Sequence, residues 1–373
     1  MTSGRNHSVD VVRLAALIGI CVVNIPFMGL ATAPAVPAGA FDQIVMFAVN
    51  ALCQAKFFLL FSFIFGWGFE IQERSAARAG ADFPRRYGRR LIGLAILGCL
   101  HAILVFSGDI LLIYAILGLL LWPLRRLESR TLWRVALCLV PIATVGMMLL
   151  ALAWPEVLPR SAGSGLGGSF LDSSRARLAD WPSTLGFLLF FQGPLAFAAF
   201  VAGLAAAKAD FFASGGQARY RLGKATPWLF VVAITLNAFY AATDGGWLWS
   251  DDGSLALSGL CALSLGAPMM AAVYLSAILS LSERMRLPPL LVLAGRNSLT
   301  SYVLQGVLAG FLFGGYGLGL FGQFGHQALF GLSILVAFVA MLMTGLAASY
   351  LGRAPLESLL RLVTHGRQQN SSG

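Results

Sequence analysis

The stretch "RLIGLAILGCLHAILVFSGDILLIYAILGLLLWP" (residues 90–123) consists of two apolar runs that meet at Ser107, Gly108 and Asp109. An apolar run of about 18 residues is long enough to cross a bilayer as a helix. Glycine and serine between two such runs favour a turn. The stretch therefore predicts two membrane helices, over about 90–107 and 109–123, joined in a tight hairpin.

The rest of the 373-residue chain has the same character, since 58% of its residues are hydrophobic and only 11% are charged. A soluble domain of this size needs a far more charged surface. We therefore expect one integral membrane domain over residues 1–373, an all-α, polytopic transmembrane bundle of about ten helices. The predicted segments are about 9–31, 51–71, 90–107, 109–123, 133–154, 183–206, 227–243, 255–281, 290–313 and 328–350.

Most of the 26 Lys and Arg residues fall in loops on one side of these ten segments. The largest groups lie at 74–90, 125–134 and 208–224. Loops rich in Lys and Arg stay in the cytoplasm. We therefore expect both termini to be cytoplasmic, and we attribute the net charge of +10 to topology rather than to nucleic-acid binding. The longest loop on the opposite side, about 155–182, is too short for a separate domain.

The sequence contains none of the common motifs for a metal site, a nucleotide site or a hydrolase nucleophile. No CxxC pair, glycine-rich phosphate loop, GxSxG elbow or HExxH motif is present. The cysteines are scattered through apolar segments, which favours a packing role over a disulfide framework or a zinc site. We therefore predict no metal site, and no cofactor is firmly implied. The cysteines are Cys21, Cys53, Cys99, Cys138 and Cys261.

Polar residues inside membrane segments are costly and usually face a cavity or one another, so they are the candidate functional residues. In the first segment, Asp10, Arg13 and Asn24 share one face of the predicted helix. They form either an interfacial ion pair with an interhelical amide bond, or the polar lining of a cavity. Lys56 either extends its amine to the external surface or belongs to a binding site.

His101 follows Arg90 by eleven residues, which places it about 16 Å along the third segment and near mid-membrane. It is either a hydrogen-bonded core histidine or a general base or proton carrier, for which a pKa near 6.5 is suited. Asp109 lies at the external face. We expect its carboxylate to cap the returning helix by accepting free amide protons.

The ninth segment contains a predicted helix break. Two prolines precede it, and Gly295 allows a break before Asn297 starts a new helix. Arg296 beside that helix N-terminus makes an anion site, for a phospholipid headgroup or for a phosphate-bearing donor such as a coenzyme A derivative. Asn297, Ser301 and Gln305 then recur every four residues, and we include them with Tyr302 among the candidate binding residues.

These polar groups lie in stretches that together resemble the YeiB-type bacterial membrane proteins, a domain-of-unknown-function family (418). The resemblance covers nearly the whole chain, with a family-like C-terminal region over about 200–367 and a short disordered tail at 368–373. It implies the bacterial inner membrane. The stretches are "DVVRLAALIGICVVNI", "KFFLLFSFIFGWGFE", "GCLHAILVFSGDILLIYAILGLLL", "AGRNSLTSYVLQ" and "GRAPLESLLRLV".

That family is more distantly similar to the transmembrane acyltransferases, which transfer acyl groups to sugars. Asp10 and Arg13 match the D-x-x-R pattern of the bacterial surface-sugar O-acyltransferases, whereas Asn24 stands where those proteins carry a histidine. The resemblance implies acyl transfer from cytosolic acyl-CoA to an extracytoplasmic sugar or lipid acceptor. His101 would then act as the base, Arg13 and Arg296 would hold the donor, and Asp109 would shape the external mouth.

A second class of function stays open for the same residues, namely transport of a small anionic solute. His101 would be the proton-coupled site, and the broken ninth helix would bind the solute at its N-terminus. A deep cavity open to both faces and ringed by Arg13, His101 and Arg296 would favour acyl transfer. Inward- and outward-facing forms around a closed midplane pocket would favour transport.

Overall fold

A computed structural model describes residues 7–30, 39–153, 164–213, 216–250 and 253–365, so the predicted tail at 368–373 lies outside the described residues. Within these ranges the chain is helical and contains no strand. The helices are α1 (His7–Gly29), α2 (Ala40–Leu52), α3 (Lys56–Arg78), α4 (Phe83–Leu104), α5 (Leu111–Leu121), α6 (Ser129–Ala153), α7 (Phe170–Phe187), α8 (Gly193–Lys208), α9 (Gln217–Asp244), α10 (Ser254–Arg284), α11 (Pro289–Arg296), α12 (Ser298–Phe313), α13 (His326–Leu351) and α14 (Pro355–His365).

The architecture confirms the predicted all-α bundle of membrane helices. In the described ranges, eight helical units are long and apolar enough to cross a membrane, and each of the ten predicted segments contains a helix. Two of the ten are short. The α12 helix has 16 residues, and α5 has 11, about 16 Å of helix. The predicted hairpin at 90–123 is therefore present as α4 and α5, but its second arm is too short to cross a bilayer alone.

The structure differs from the predicted loop at about 155–182. The α7 helix begins there, at Phe170, where the Ser169 hydroxyl accepts a hydrogen bond from the amide of Asp172. A π-helical turn over Leu188–Gln192 joins α7 to α8. This helical unit, Phe170–Lys208, carries polar residues on the α7 part, which is why the apolar pattern alone missed it.

Glycines allow the closest helix contacts in the bundle. A methyl group at Gly66 of α3 would overlap the backbone of Phe200 in α8, and one at Gly203 would overlap the backbone of Phe63. The two backbones therefore touch, which small residues permit in membrane bundles. The α1 helix lies between α3, α10, α11, α12 and α13, so most of its length is surrounded by other helices.

Both described ends of the chain lie at the same end of the bundle. The Arg296 side chain between α11 and α12 pairs with Asp10 at the start of α1, and α14 packs through Leu360 at Gly93, in the first half of α4. We call this end the termini side and the opposite end the distal side. The basic loops predict that the termini side is cytoplasmic.

Candidate functional site

A buried histidine and a buried aspartate form the centre of the site. His101 Nδ1 lies 2.8 Å from Asp109 Oδ1, and the Tyr302 hydroxyl donates a hydrogen bond to the same oxygen at 3.1 Å. Because an ionised carboxylate can only accept, Nδ1 carries the proton in this pair. A neutral imidazole in this tautomer leaves Nε2 as a free hydrogen-bond acceptor.

The hairpin turn brings the two residues together. His101 lies in the last turn of α4, which starts at Phe83 and ends at Leu104, so it lies closer to the distal end of its helix than the mid-membrane prediction. A methyl group at Gly98 would overlap Leu112, so this glycine lets α5 fold back closely on α4.

Asp109 caps α5, as predicted. Its Oδ2 accepts the amide of Leu111 at 2.8 Å. The other oxygen of the same carboxylate orients His101, which was not predicted. The available signal was the spacing of eight residues across a predicted turn.

The free nitrogen of His101 faces a cavity of about 10 Å³, close to the size of one water molecule. Among the described residues, Nε2 is buried and has no hydrogen-bond partner. A methyl group at Gly306 would lie 2.7 Å from this nitrogen, so the glycine of α12 keeps the space open. The cavity is also lined by Asn24, Tyr302 and Gln305. Three predicted candidates from two other helices therefore surround the imidazole.

A larger cavity of about 420 Å³ lies on the distal side. It is formed by the second half of α1, the start of α3, the turn between α4 and α5, α7, and the end of α12. Asn24, Met28 and Phe106 line both cavities. These three side chains therefore separate the imidazole from the larger space.

A second group of predicted residues meets on the termini side. Asp10 is buried and pairs with Arg13 at 3.6 Å and with Arg296 at 2.8 Å. The Arg13 pair was expected, and the Arg296 pair joins the first segment to the ninth. The two arginine side chains keep 24% and 36% of their surface exposed on this side.

The predicted helix break is present, but the amides of the helix N-terminus beside it already have a carboxylate partner. The α11 helix ends at Arg296 and α12 begins after Asn297. The amides of Leu299 and Thr300 donate to Glu357 Oε1 at 2.8 and 3.2 Å, and the Thr300 hydroxyl donates to Oε2 at 2.6 Å. A carboxylate from α14 thus takes the place predicted for an external anion. Glu357 was missed because its partners lie 57 and 58 residues away.

The other predicted residues of the ninth segment make structural bonds. Asn297 donates to the carbonyl of Leu293 at 2.9 Å and accepts the amide of Ala354 at 3.0 Å. Ser301 donates to the carbonyl of Ala294 at 3.3 Å. Gln305 donates to the carbonyl of Leu17 at 3.3 Å, and it is the one of the three that also lines the small cavity.

Lys56 does not reach the external surface, so that interpretation was wrong. Its side chain is fully buried, with 0% exposure, because Nζ donates to the carbonyl of Asn50 at 3.0 Å. Asn50 lies in the last turn of α2, where carbonyls lack helical partners and favour a cation. Lys56 lines neither cavity, so the structure separates it from the other candidates.

The two cavities do not form the single cavity ringed by Arg13, His101 and Arg296 that we described above. The larger one is lined by distal residues, and neither arginine lines either of the two. Buried Leu17 and Ile20 of α1 and the Gln305 bond fill the space between the two groups. No cluster of His, Cys, Asp or Glu suited to a metal occurs in the ranges that the structure describes.

Comparison with known proteins gives relatives over almost the whole chain. Residues 206–367 match the family described as "Protein of unknown function (DUF418)". The chain is 27% identical to the uncharacterised protein YxaH of Bacillus subtilis, over 98% of this chain and 95% of that protein. It is 29% identical to the uncharacterised protein YeiB of Escherichia coli, over 96% of each. No solved structure gives a significant match.

A shorter similarity joins these two. An uncharacterised 39.9 kDa protein encoded in the amylase 3' region of Bacillus acidopullulyticus is 32% identical over 125 residues, which is 34% of this chain and 35% of that protein. The chain is a YeiB-like membrane protein, similar over almost its whole length to YxaH and YeiB, and its residues 206–367 match the DUF418 family.

Proposed function

We propose that this protein is a membrane-bound acyltransferase of the inner membrane in which His101, oriented by Asp109, is the general base. The observation that carries the proposal is the buried pair with a free Nε2. A histidine whose Nδ1 proton is held by a carboxylate is set up to take a proton at Nε2. Among the described residues no protein group bonds Nε2, which faces a small cavity lined by Asn24, Tyr302 and Gln305.

The reaction proceeds in one displacement on a thioester. An acceptor hydroxyl reaches Nε2 of His101, which takes its proton while the oxygen forms a bond to the acyl carbon. The carbon–sulfur bond breaks, and the coenzyme A thiolate leaves and takes up the proton from the imidazolium. Asp109 stabilises the imidazolium while it carries that proton.

The two substrates approach from opposite sides. The acyl-CoA donor comes from the termini side, which the basic loops predict to be cytoplasmic, where Arg13 and Arg296 offer exposed cationic surface. Leu17, Ile20 and Gln305 close the path from there to His101 in this structure, so α1 and α12 must move apart to admit the acyl arm. A sugar or lipid acceptor enters the distal cavity and passes Asn24. Tyr302 and Gln305 border the small space at Nε2, where the reacting groups meet.

Transport of a small anionic solute is the second candidate, favoured by one observation. The large cavity is lined only by distal residues, while the Asp10–Arg296 pair joins α1 to the α11–α12 break on the other side. A cavity open to one face is typical of a carrier in one of its two states. His101 would then be the proton-coupled group.

Calorimetric binding of acetyl-CoA to detergent-purified protein tests the proposal. We expect saturable micromolar binding that Arg296→Ala weakens and His101→Ala leaves intact. Arg286→Ala is the matched control, because it removes the same charge from an exposed position on the termini side. Absence of binding up to millimolar donor would contradict the acyl-CoA mechanism and favour transport.

A further inference from the structure

Arg177 of α7 is a buried cation in the lining of the distal cavity. Only 4% of its surface is exposed. Its Nη1 donates to the carbonyls of Leu104 and Val105, at 3.1 and 3.3 Å, and its Nε donates to the carbonyl of Ser173 at 3.4 Å. The Tyr316 hydroxyl lies near it, and Tyr316 also lines this cavity. The guanidinium is therefore held at the end of the helix that carries His101.

The charge of Arg177 has no carboxylate partner in the described part of the chain. Carbonyl and hydroxyl dipoles surround it, and the ion pairs of the described residues do not include it. Asp180 lies one turn further along α7 and also lines the cavity, but it does not pair with Arg177. A buried cation is costly unless an anion balances it. The cavity beside Arg177 is where that anion can bind.

The rest of the lining fits a molecule with several hydroxyl groups. Amides, hydroxyls and aromatic rings all line the space. Its volume of about 420 Å³ is within the range of small-molecule sites. Such a mixture can bind the polar edges and the apolar faces of a sugar. The amides and hydroxyls include Asn24, Gln54, Ser183, Thr184 and Gln192.

We propose that the distal cavity binds a hydroxylated phosphate, with the phosphate at Arg177 and a hydroxyl directed past Asn24 toward His101. The identification of this ligand as the acyl acceptor rests on the function proposed above. The existence of a phosphate-binding site at Arg177 does not depend on that function. A soluble sugar phosphate and the headgroup of phosphatidylglycerol share this chemistry, and the experiment distinguishes them.

Direct binding measured by calorimetry in a non-ionic detergent tests the inference. The probes are glucose 6-phosphate, glucose and a short-chain phosphatidylglycerol. We expect the native protein to bind one of the two phosphates at least about tenfold more tightly than glucose, because a charge-assisted hydrogen bond is lost in glucose. The phosphate that binds identifies the source. Equal affinity for glucose and for both phosphates would overturn the inference.

Variants assign the site to Arg177. Arg177→Gln should weaken phosphate binding at least about tenfold, and Arg177→Lys should restore part of the affinity. Arg175→Gln is the matched control, since it removes an exposed arginine from the same helix and should bind normally. Asp180→Asn should tighten binding, because it removes a negative charge from the same cavity.

The outcomes separate a binding role from a purely structural one. A folded Arg177→Gln with native affinity, or an Asp180→Asn that binds no more tightly, would overturn the inference. If Arg177→Gln does not fold, the Asp180→Asn result and the glucose comparison decide. Phosphate binding without acyl transfer would refute the proposed function alone.

Discussion

An alanine at position 306 tests the geometry around the free nitrogen of His101. The added methyl group would lie 2.7 Å from Nε2 and 2.9 Å from a methyl carbon of Val105. Ordinary van der Waals contact begins near 3.4 Å, so the imidazole must move by about 0.7 Å. It cannot do so freely, because Nδ1 is bonded to Asp109 at 2.8 Å. The substitution therefore either displaces the ring or blocks the space that Nε2 faces.

Two opposing terms set the effect on the free energy of unfolding. Glycine to alanine inside a helix stabilises by about 0.8–1 kcal/mol. Overpacking a tight site costs about 1–3 kcal/mol. We expect Gly306→Ala to lower the free energy of unfolding by up to about 2 kcal/mol. Gly331→Ala is the control, because a methyl group there has no neighbour within 4 Å, and it should only raise the free energy of unfolding. Acyl transfer should fall by about 10²-fold or more, since the base is blocked.

A double-mutant cycle with His101→Ala isolates the contact without any substrate. Removing the imidazole leaves the methyl group free on that side, while the Val105 contact is the same in both backgrounds and cancels. The coupling energy between positions 101 and 306 should be about 1–3 kcal/mol, measured by denaturant unfolding in mixed detergent. Additive effects, with a coupling below about 0.5 kcal/mol, would refute the placement of Nε2 against Gly306.

Three further changes follow from individual contacts. Asp109→Asn should lower acyl transfer at least about 10²-fold and leave acetyl-CoA affinity unchanged, because the amide no longer fixes the proton on Nδ1 of His101. Normal turnover in this variant would exclude a catalytic role for the His101–Asp109 pair. Lys56→Met should leave the unfolding temperature unchanged or raise it, because it removes a fully buried amine, and a large drop would contradict this. Burial raises the pKa of Glu357, while hydrogen bonds from Thr300 and Leu299 oppose the shift. The native state then keeps this proton where the unfolded chain has lost it. The stability of the wild type relative to Glu357→Gln should therefore fall as pH rises from about 4.3 to the raised pKa, then stay constant. A stability difference that grows with rising pH would contradict this.

Apolar run length was enough to predict most of the fold. The α4–α5 hairpin was predicted from two runs and a Ser-Gly-Asp turn, because backbone groups in a bilayer must be paired within helices. Hydropathy could not predict the helical character of α7, since its residues are polar enough to pass as a loop. Hydropathy also could not show that the α5 helix is too short to cross the bilayer alone. The apolar run continues past Leu121, but the chain there forms a 3₁₀ turn at Trp122–Arg126.

The candidate residues of the site were predicted singly, and their pairings came from tertiary contacts. His101 and Asp109 each had a role in the sequence analysis, but their bond depends on how closely α5 folds onto α4 at Gly98. The anion site at α12 was a sound local inference that failed because Glu357 arrives from another helix. Lys56 was misplaced because a carbonyl at the end of α2 offered its amine a partner.

Transfer of a labelled acetyl group tests the central claim most directly. Membrane vesicles that contain the native protein, or the His101→Ala variant at equal abundance, would be incubated with acetyl-CoA labelled in its acetyl group. The label transferred to lipids and to soluble sugars would then be counted separately. We predict transfer by the native protein and a loss of at least about 10²-fold in the variant, with acetyl-CoA affinity unchanged. Equal transfer with and without the imidazole, or no transfer by the native protein, would contradict the assignment of His101 as the base of an acyltransferase.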